Sequence, residues 1–233
     1  MLSASSALTV LSTSSTIWPA LSLSLQVALS ATAINLLLGV AVGWLLARYR
    51  FRGRELLDAL LTLPMVLPPT VLGYYLLVLW GKQGWLGQWL HQWLGVQLIF
   101  TRSAAIMAAT VVTFPLIMKA ARTALEQVPA PLENAGRVLG LGEWAVFWRI
   151  SLPLAWRGIL AGSLLALARA LGEFGATLMV AGSIAGQTQT LSIAIYEAVQ
   201  AGQDDAAHLM VLVISATCVA LLLLARRLAP ERL

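Results

Sequence analysis

A chain of 233 residues could form one large domain or two small ones, but with 11% charged residues and a mean hydropathy of +0.83 it is excluded from the ordinary soluble class, and lipid is the solvent for much of it. A net charge of +5 and a pI near 10.0 would suggest nucleic-acid binding in a soluble protein; here the basic residues sit at the ends of apolar runs, as topology signals do, so nucleic acid is excluded as a partner. The single cysteine, Cys218, lies inside an apolar run and can make neither an intramolecular disulfide nor a multi-cysteine metal site, so it reads as a small core residue.

Residues 1–20 are rich in Ser and Thr and carry no Lys or Arg, unlike the positive start of a signal peptide, and are expected to be a flexible outer tail. Crossing ~30 Å of hydrocarbon at ~1.5 Å per residue takes about 20 apolar residues. Five stretches meet this requirement, at about 21–47, 56–80, 103–125, 158–181 and 206–225. They predict an all-α, polytopic membrane protein with a single transmembrane domain over residues 21–228. The loop after the first span holds Arg48, Arg50, Arg52 and Arg54, the end of the third span and the loop after it hold Lys119, Arg122, Arg137, Arg149 and Arg157, and the tail holds Arg226, Arg227 and Arg232. Lys82 and Arg102 fall on the other side and Arg169 inside a span. The positive-inside rule then puts the amino terminus outside and the carboxyl terminus in the cytoplasm of a multi-pass inner-membrane protein.

The second span contains Pro64, Pro68, Pro69 and Gly73 around Thr70, which bend or break a helix. Broken membrane helices line cavities where water satisfies the freed backbone groups, so a path-lining or gating role stands beside a mere kink. Beyond it Trp85, Trp89 and Trp93 recur every four residues and share one face of a short interfacial helix. That face is either an aromatic belt that sets depth in the bilayer or a docking surface for an outer partner.

Several functions lack a necessary part. The only Gly-Lys pair, Gly81-Lys82, is followed by Gln83 rather than Ser or Thr, so no P-loop exists and this chain cannot hydrolyse ATP alone. The only histidines, His91 and His208, provide no paired haem ligands within the membrane. No catalytic residue, metal site or cofactor is expected. Glu173, the only carboxylate deep in a span, follows Arg169 by four residues, so the two side chains can meet on one helix face. The pair is either beside the translocation path or its gate, or a self-neutralising structural pair. In the same span Gly158, Gly162, Ala166 and Ala170 form a small-residue stripe for close helix packing.

The loop 129–153 carries the run LENAGRVLGLGEWAVFWRISLP from Leu132 to Pro153. Leu132 to Leu139 reads as a short helix with Leu132, Ala135 and Leu139 on one face; Gly140 and Gly142 break it. Glu143 to Ile150 reads as a second helix, and Pro153 as the start of the next span. The result is a two-helix knob on the cytoplasmic face, or else an amphipathic segment lying on the lipid.

This loop resembles that of the membrane subunits of binding-protein-dependent ABC importers, whose pattern is EAA, three residues, Gly, nine residues, Ile, one residue, Leu-Pro. Gly140, Ile150, Leu152 and Pro153 match that spacing, whereas the EAA positions fall on Asn134, Ala135 and Gly136, with Glu133 one place upstream. From about Leu21 onward the chain is most similar to the molybdate permeases, notably over FRGRELLDALLTLPMVLPPTVLGYYLL and LARALGEFGAT. Sulfate permeases share the Gly-Glu-aromatic-Gly core seen at Gly172 to Gly175 but are usually longer. The resemblance implies a homodimer forming one pathway on its two-fold axis, two copies of a separate ATPase chain beneath it, and an outer oxyanion-binding protein, periplasmic or lipid-anchored. It also implies that Glu133, Asn134, Ala135, Gly136, Gly140, Ile150, Leu152 and Pro153 dock the ATPase and couple its motion to transport. A membrane scaffold that moves no solute, and an ion-driven secondary transporter, remain as alternatives, and no side chain here separates molybdate from tungstate or sulfate.

Overall fold

The computed structural model describes the backbone of residues 4–95 and 97–228, and side chains from Ile17 to Leu224, Leu94 and Val96 excepted, together with Arg227. The described residues are helical throughout, joined by short turns. In chain order the helices are α1 (Ala4–Arg48), α2 (Arg54–Val66), α3 (Pro69–Trp80), α4 (Trp85–Leu94), α5 (Arg102–Glu126), α6 (Ala130–Val138), α7 (Glu143–Val146), α8 (Leu152–Leu171), α9 (Gly175–Ala181), α10 (Leu191–Gln200) and α11 (Asp204–Leu228), with a π-turn at Phe147–Ser151 between α7 and α8. Four segments, Ile17–Arg48, Arg102–Glu126, Glu143–Leu171 and Asp204–Leu224, are long and apolar enough to cross a membrane. The pair α2 and α3, bent by 111°, makes a fifth if counted as one broken span.

Small residues let the three central helices approach closely. On α1, an added Cβ at Gly43 would lie 2.9 Å from the Met118 carbonyl oxygen of α5. On α8, a Cβ at Gly158 would lie 2.7 Å from Ala124 Cβ, and one at Gly162 would overlap Ala120 Cβ outright. The stripe of Gly158, Gly162, Ala166 and Ala170 thus packs α8 on α5, where dispersion rather than hydrophobic exclusion holds helices together in lipid. Between α1 and α5 the buried amide of Asn35 donates to the Thr110 carbonyl at 2.9 Å and to Thr113 Oγ1 at 3.0 Å. Large apolar side chains face outward instead, as on α11, where Leu212, Val219 and Leu223 are exposed, the pattern that hydrocarbon requires.

The structure differs from the sequence reading in four places. Of the expected tail at 1–20, residues 1–3 lie outside the described residues, and from Ala4 the backbone is already helical. The fourth span ends at Leu171; Gly172–Phe174 break it before α9, where a single helix over 158–181 is expected. Gly172 and Gly175 keep the run apolar, so hydropathy cannot see the break. The second loop helix does not stop at Ile150. It runs through the π-turn into α8, making Glu143–Leu171 one helix of 29 residues; Pro153, which has no N–H to give, sits in the first turn of α8, where the sequence puts the start of the span. Finally, α10 is a helix where none is predicted; it packs with Ile17 and Ala20 of α1 and with Ala206, Ala207 and Met210 of α11.

Candidate functional site

The loop between α5 and α8 is built on a buried carboxylate. Glu133, only 2% exposed, ion-pairs with Arg48, the last residue of α1. The Ser151 hydroxyl donates to the same carboxylate at 2.6 Å, and Arg137 lies 3.8 Å from its second oxygen. Arg48 also donates to the Leu125 carbonyl near the end of α5 at 3.1 Å. One glutamate thereby ties α6 to the ends of α1 and α5 and to the π-turn, and its charge is compensated where burial alone would be costly.

The glycines have distinct tasks. Gly136 faces Ile150, whose Cδ1 would lie 2.6 Å from an added Cβ, so the third position of the degraded motif is where α6 leans on the helix leading into α8. Gly140 ends α6 in a left-handed conformation (φ +85°). Its N–H reaches the Arg137 carbonyl, and the Leu141 N–H reaches the Gly136 carbonyl, each at 3.0 Å. These two bonds make a Schellman end. Asn134 accepts from Arg137 at 2.8 Å, and Arg137 grips Glu143 across the turn at 2.7 and 3.2 Å. Hydrogen bonding to Glu143 holds the Arg137 guanidinium above its ordinary pKa. Asn134 and Arg137 therefore brace the angle between α6 and α7.

With Glu133 and Gly136 turned inward, Leu132, Ala135, Val138 and Leu139 turn outward. Val138 is 88% and Leu139 82% exposed. Trp144 stacks on Trp44 of α1 with ring centres 5.8 Å apart and planes 5° from parallel, and Phe147 fills in at 5.1 Å from Trp44. Ile150 is half-buried; Leu152 and Pro153 open α8, Leu152 packed against the core beside Phe147 and Ala155 and Pro153 exposed. Sequence reasoning assigns Arg48 to topology and passes over Ser151 and Trp44; none carries a local signal of its part in this site, because their partners are far away in the chain.

The pathway candidates gather elsewhere. Leu67 and Pro68 are extended between α2 and α3, and Pro69 packs against Gly175 of α9, 2.8 Å from an added Cβ. Pro68 and Thr70 are exposed at the bend. Pro69 and Arg169 share a cavity of about 310 Å³ with Pro64, Leu67, Val112 and Leu116. Arg169 Nη1 donates to Glu173 Oε2 at 2.7 Å; Glu173 itself lies just past the end of α8, buried, and its other oxygen accepts the Ala176 N–H at 3.0 Å. The pair meets as its spacing predicts, but at a helix break rather than within one helix. Among the described residues no group of His, Cys, Asp and Glu could hold a metal ion.

A helical membrane domain with a bent second span and a knob between its third and fourth spans is the transmembrane fold of type I ABC importers. It superposes on the inward-facing MetNI methionine ABC transporter with a TM-score of 0.72 at 17% identity, covering 92% of this chain and 93% of the other. It also superposes on a bacterial alginate ABC transporter solved in complex with a periplasmic protein bound to alginate pentasaccharide, with a TM-score of 0.72 at 16% identity over 91% and 77% of the two chains. Residues 39–232 match the family described as binding-protein-dependent transport system inner membrane component, and the chain belongs to that family. It is 45% identical over 208 residues to the molybdenum transport system permease protein ModB of Escherichia coli, covering 88% of this chain and 91% of the relative. It is 43% identical over 206 residues to ModB of Haemophilus influenzae, with 88% and 90% covered. The sulfate transport system permease protein CysW of Synechocystis is 38% identical over 205 residues, with 88% and 74% covered.

Proposed function

We propose that this chain is the permease subunit of an ATP-driven importer of molybdate, working as a dimer with one pathway on the two-fold axis. A separate ATPase chain, in two copies, supplies the energy, and an outer binding protein delivers the anion. The observation that carries the reading is the outward apolar face of α6, with Leu132, Val138 and Leu139 mounted on the Glu133–Arg48–Ser151 anchor. An apolar face held this firmly and left uncovered by its own chain suits a partner's groove. In this reading Glu133 to Pro153 is a lever: closure of the ATPase pair moves α6, and the motion passes to the membrane helices. The basic ends at Arg48–Arg54 and Arg122–Arg157 support a cytoplasmic loop and an outer amino terminus in the inner membrane.

The pathway runs by the α2–α3 bend, with Pro68, Pro69 and Thr70 at the bend and Arg169 and Glu173 beside it. Identity to the molybdenum permeases supports molybdate; identity to CysW keeps sulfate as the second reading, with tungstate beside both. Proteoliposomes holding the permease and its ATPase test the whole: anion must accumulate only with ATP and the binding protein. Accumulation driven by an ion gradient alone, or none under any condition, overturns the importer. Competition of molybdate, tungstate and sulfate for the cognate binding protein then decides the solute.

A further inference from the structure

The cavity at the α2–α3 bend is lined by Pro64, Leu67, Pro69, Val112 and Leu116 and by one charged residue, Arg169. The two members of the Arg169–Glu173 pair are unequally placed. Glu173 is 2% exposed and Arg169 40%. Both carboxylate oxygens are engaged, one by Arg169 Nη1 and the other by the Ala176 N–H at the start of α9. Arg169 spends only Nη1. Among the described residues its Nε and Nη2 donate to nothing, and these two form the edge of the guanidinium that grips two oxygens of one anion side by side. Apolar walls lower the local dielectric and strengthen whatever reaches that edge. At about 310 Å³ the space equals about ten waters, room for a tetrahedral oxyanion that keeps part of its hydration.

We propose that Arg169 is a transient binding residue for a tetrahedral oxyanion in transit, and that Glu173 keeps this contact weak. The buried carboxylate orients the guanidinium through Nη1, leaves its Nε–Nη2 edge free for an anion, and neutralises enough of its charge for the anion to leave again. A bare arginine in apolar surroundings would hold the anion and stall transport; a lysine would lack the two-pronged edge. This inference rests on the importer reading and extends it to a residue inside the membrane domain.

Tungstate, heavy enough to be counted by mass spectrometry, is the probe for equilibrium dialysis against the full-length permease in lipid nanodiscs without binding protein. Two variants move in opposite directions. Glu173→Gln keeps the acceptor for Ala176 and removes the competing charge, so tungstate binds about tenfold tighter while ATP-driven uptake slows. The double variant Arg169→Gln with Glu173→Gln buries no unpaired charge, so it folds as the parent does, and it binds tungstate about tenfold or more weakly. Unchanged dialysis with both variants, in a permease whose wild type accumulates anion with ATP and binding protein, overturns the role of Arg169 and leaves the importer standing. A wild type that accumulates no anion overturns both.

Discussion

Arg48 closes α1 by pairing with Glu133, the buried carboxylate of α6, across 85 positions of sequence. The first membrane helix therefore fixes where the loop sits. Glu133→Ala removes the acceptor shared by Arg48 and Ser151 and costs on the order of 2–3 kcal/mol, below the figure for a fully buried pair because Arg48 is partly exposed. Thermal unfolding followed by tryptophan fluorescence reads this, and the double variant with Arg48→Ala loses less than the sum of the single losses. Additive losses would show that the two side chains do not interact.

Gly140 has nothing within 4 Å of an added Cβ, so its substitution is a purely conformational matter. Gly140→Val costs about 1–2 kcal/mol through its left-handed backbone, and Gly140→Asn costs less. Both remain folded in the membrane, yet Gly140→Val separates ATP hydrolysis from uptake, because α6 can no longer hold its angle to α7. Normal ATP-driven uptake by Gly140→Val in vesicles would sink the lever.

Leu139→Glu and Val138→Glu tell a different story from Glu133→Ala. These side chains touch little of their own chain, so the unfolding temperature stays within the scatter expected of surface changes. Co-purification of the ATPase chain falls sharply. Retained ATPase with both variants would place the docking face elsewhere.

Gly162 offers a packing test away from the loop. Gly162→Ala drives a methyl group into Ala120 and costs about 1–3 kcal/mol, more than Gly158→Ala, and Ala120→Gly restores part of the loss. Failure of that rescue would mean that α8 does not meet α5 through this pair.

Local signals account for much of what the sequence reveals. The spans follow from hydropathy, the α2–α3 bend from Pro64, Pro68 and Pro69, the Arg169–Glu173 contact from helical spacing, and the end of α6 from Gly140. The less legible features depend on distant partners or on residues that look apolar. Nothing near Glu133 announces that it is buried, because the arginine that permits burial ends another helix. The break at Gly172–Phe174 is invisible to hydropathy, and α10, at ten residues, is too short to register as a span. The join of α7 to α8 is hidden because Pro153 reads as a helix start, whereas the π-turn before it lets the helix continue.

That join has a mechanical meaning. From Ser151, which touches the anchor, to Arg169, which faces the cavity, is one helical rod of ~27 Å at ~1.5 Å per residue. A tilt of ~10° about its loop end swings the guanidinium by ~5 Å on that length, more than enough to make or release a hydrogen-bonded anion. In the proposed importer, loop and cavity then need no relay of side-chain rearrangements between them, because one continuous helix joins the two and would act as a lever.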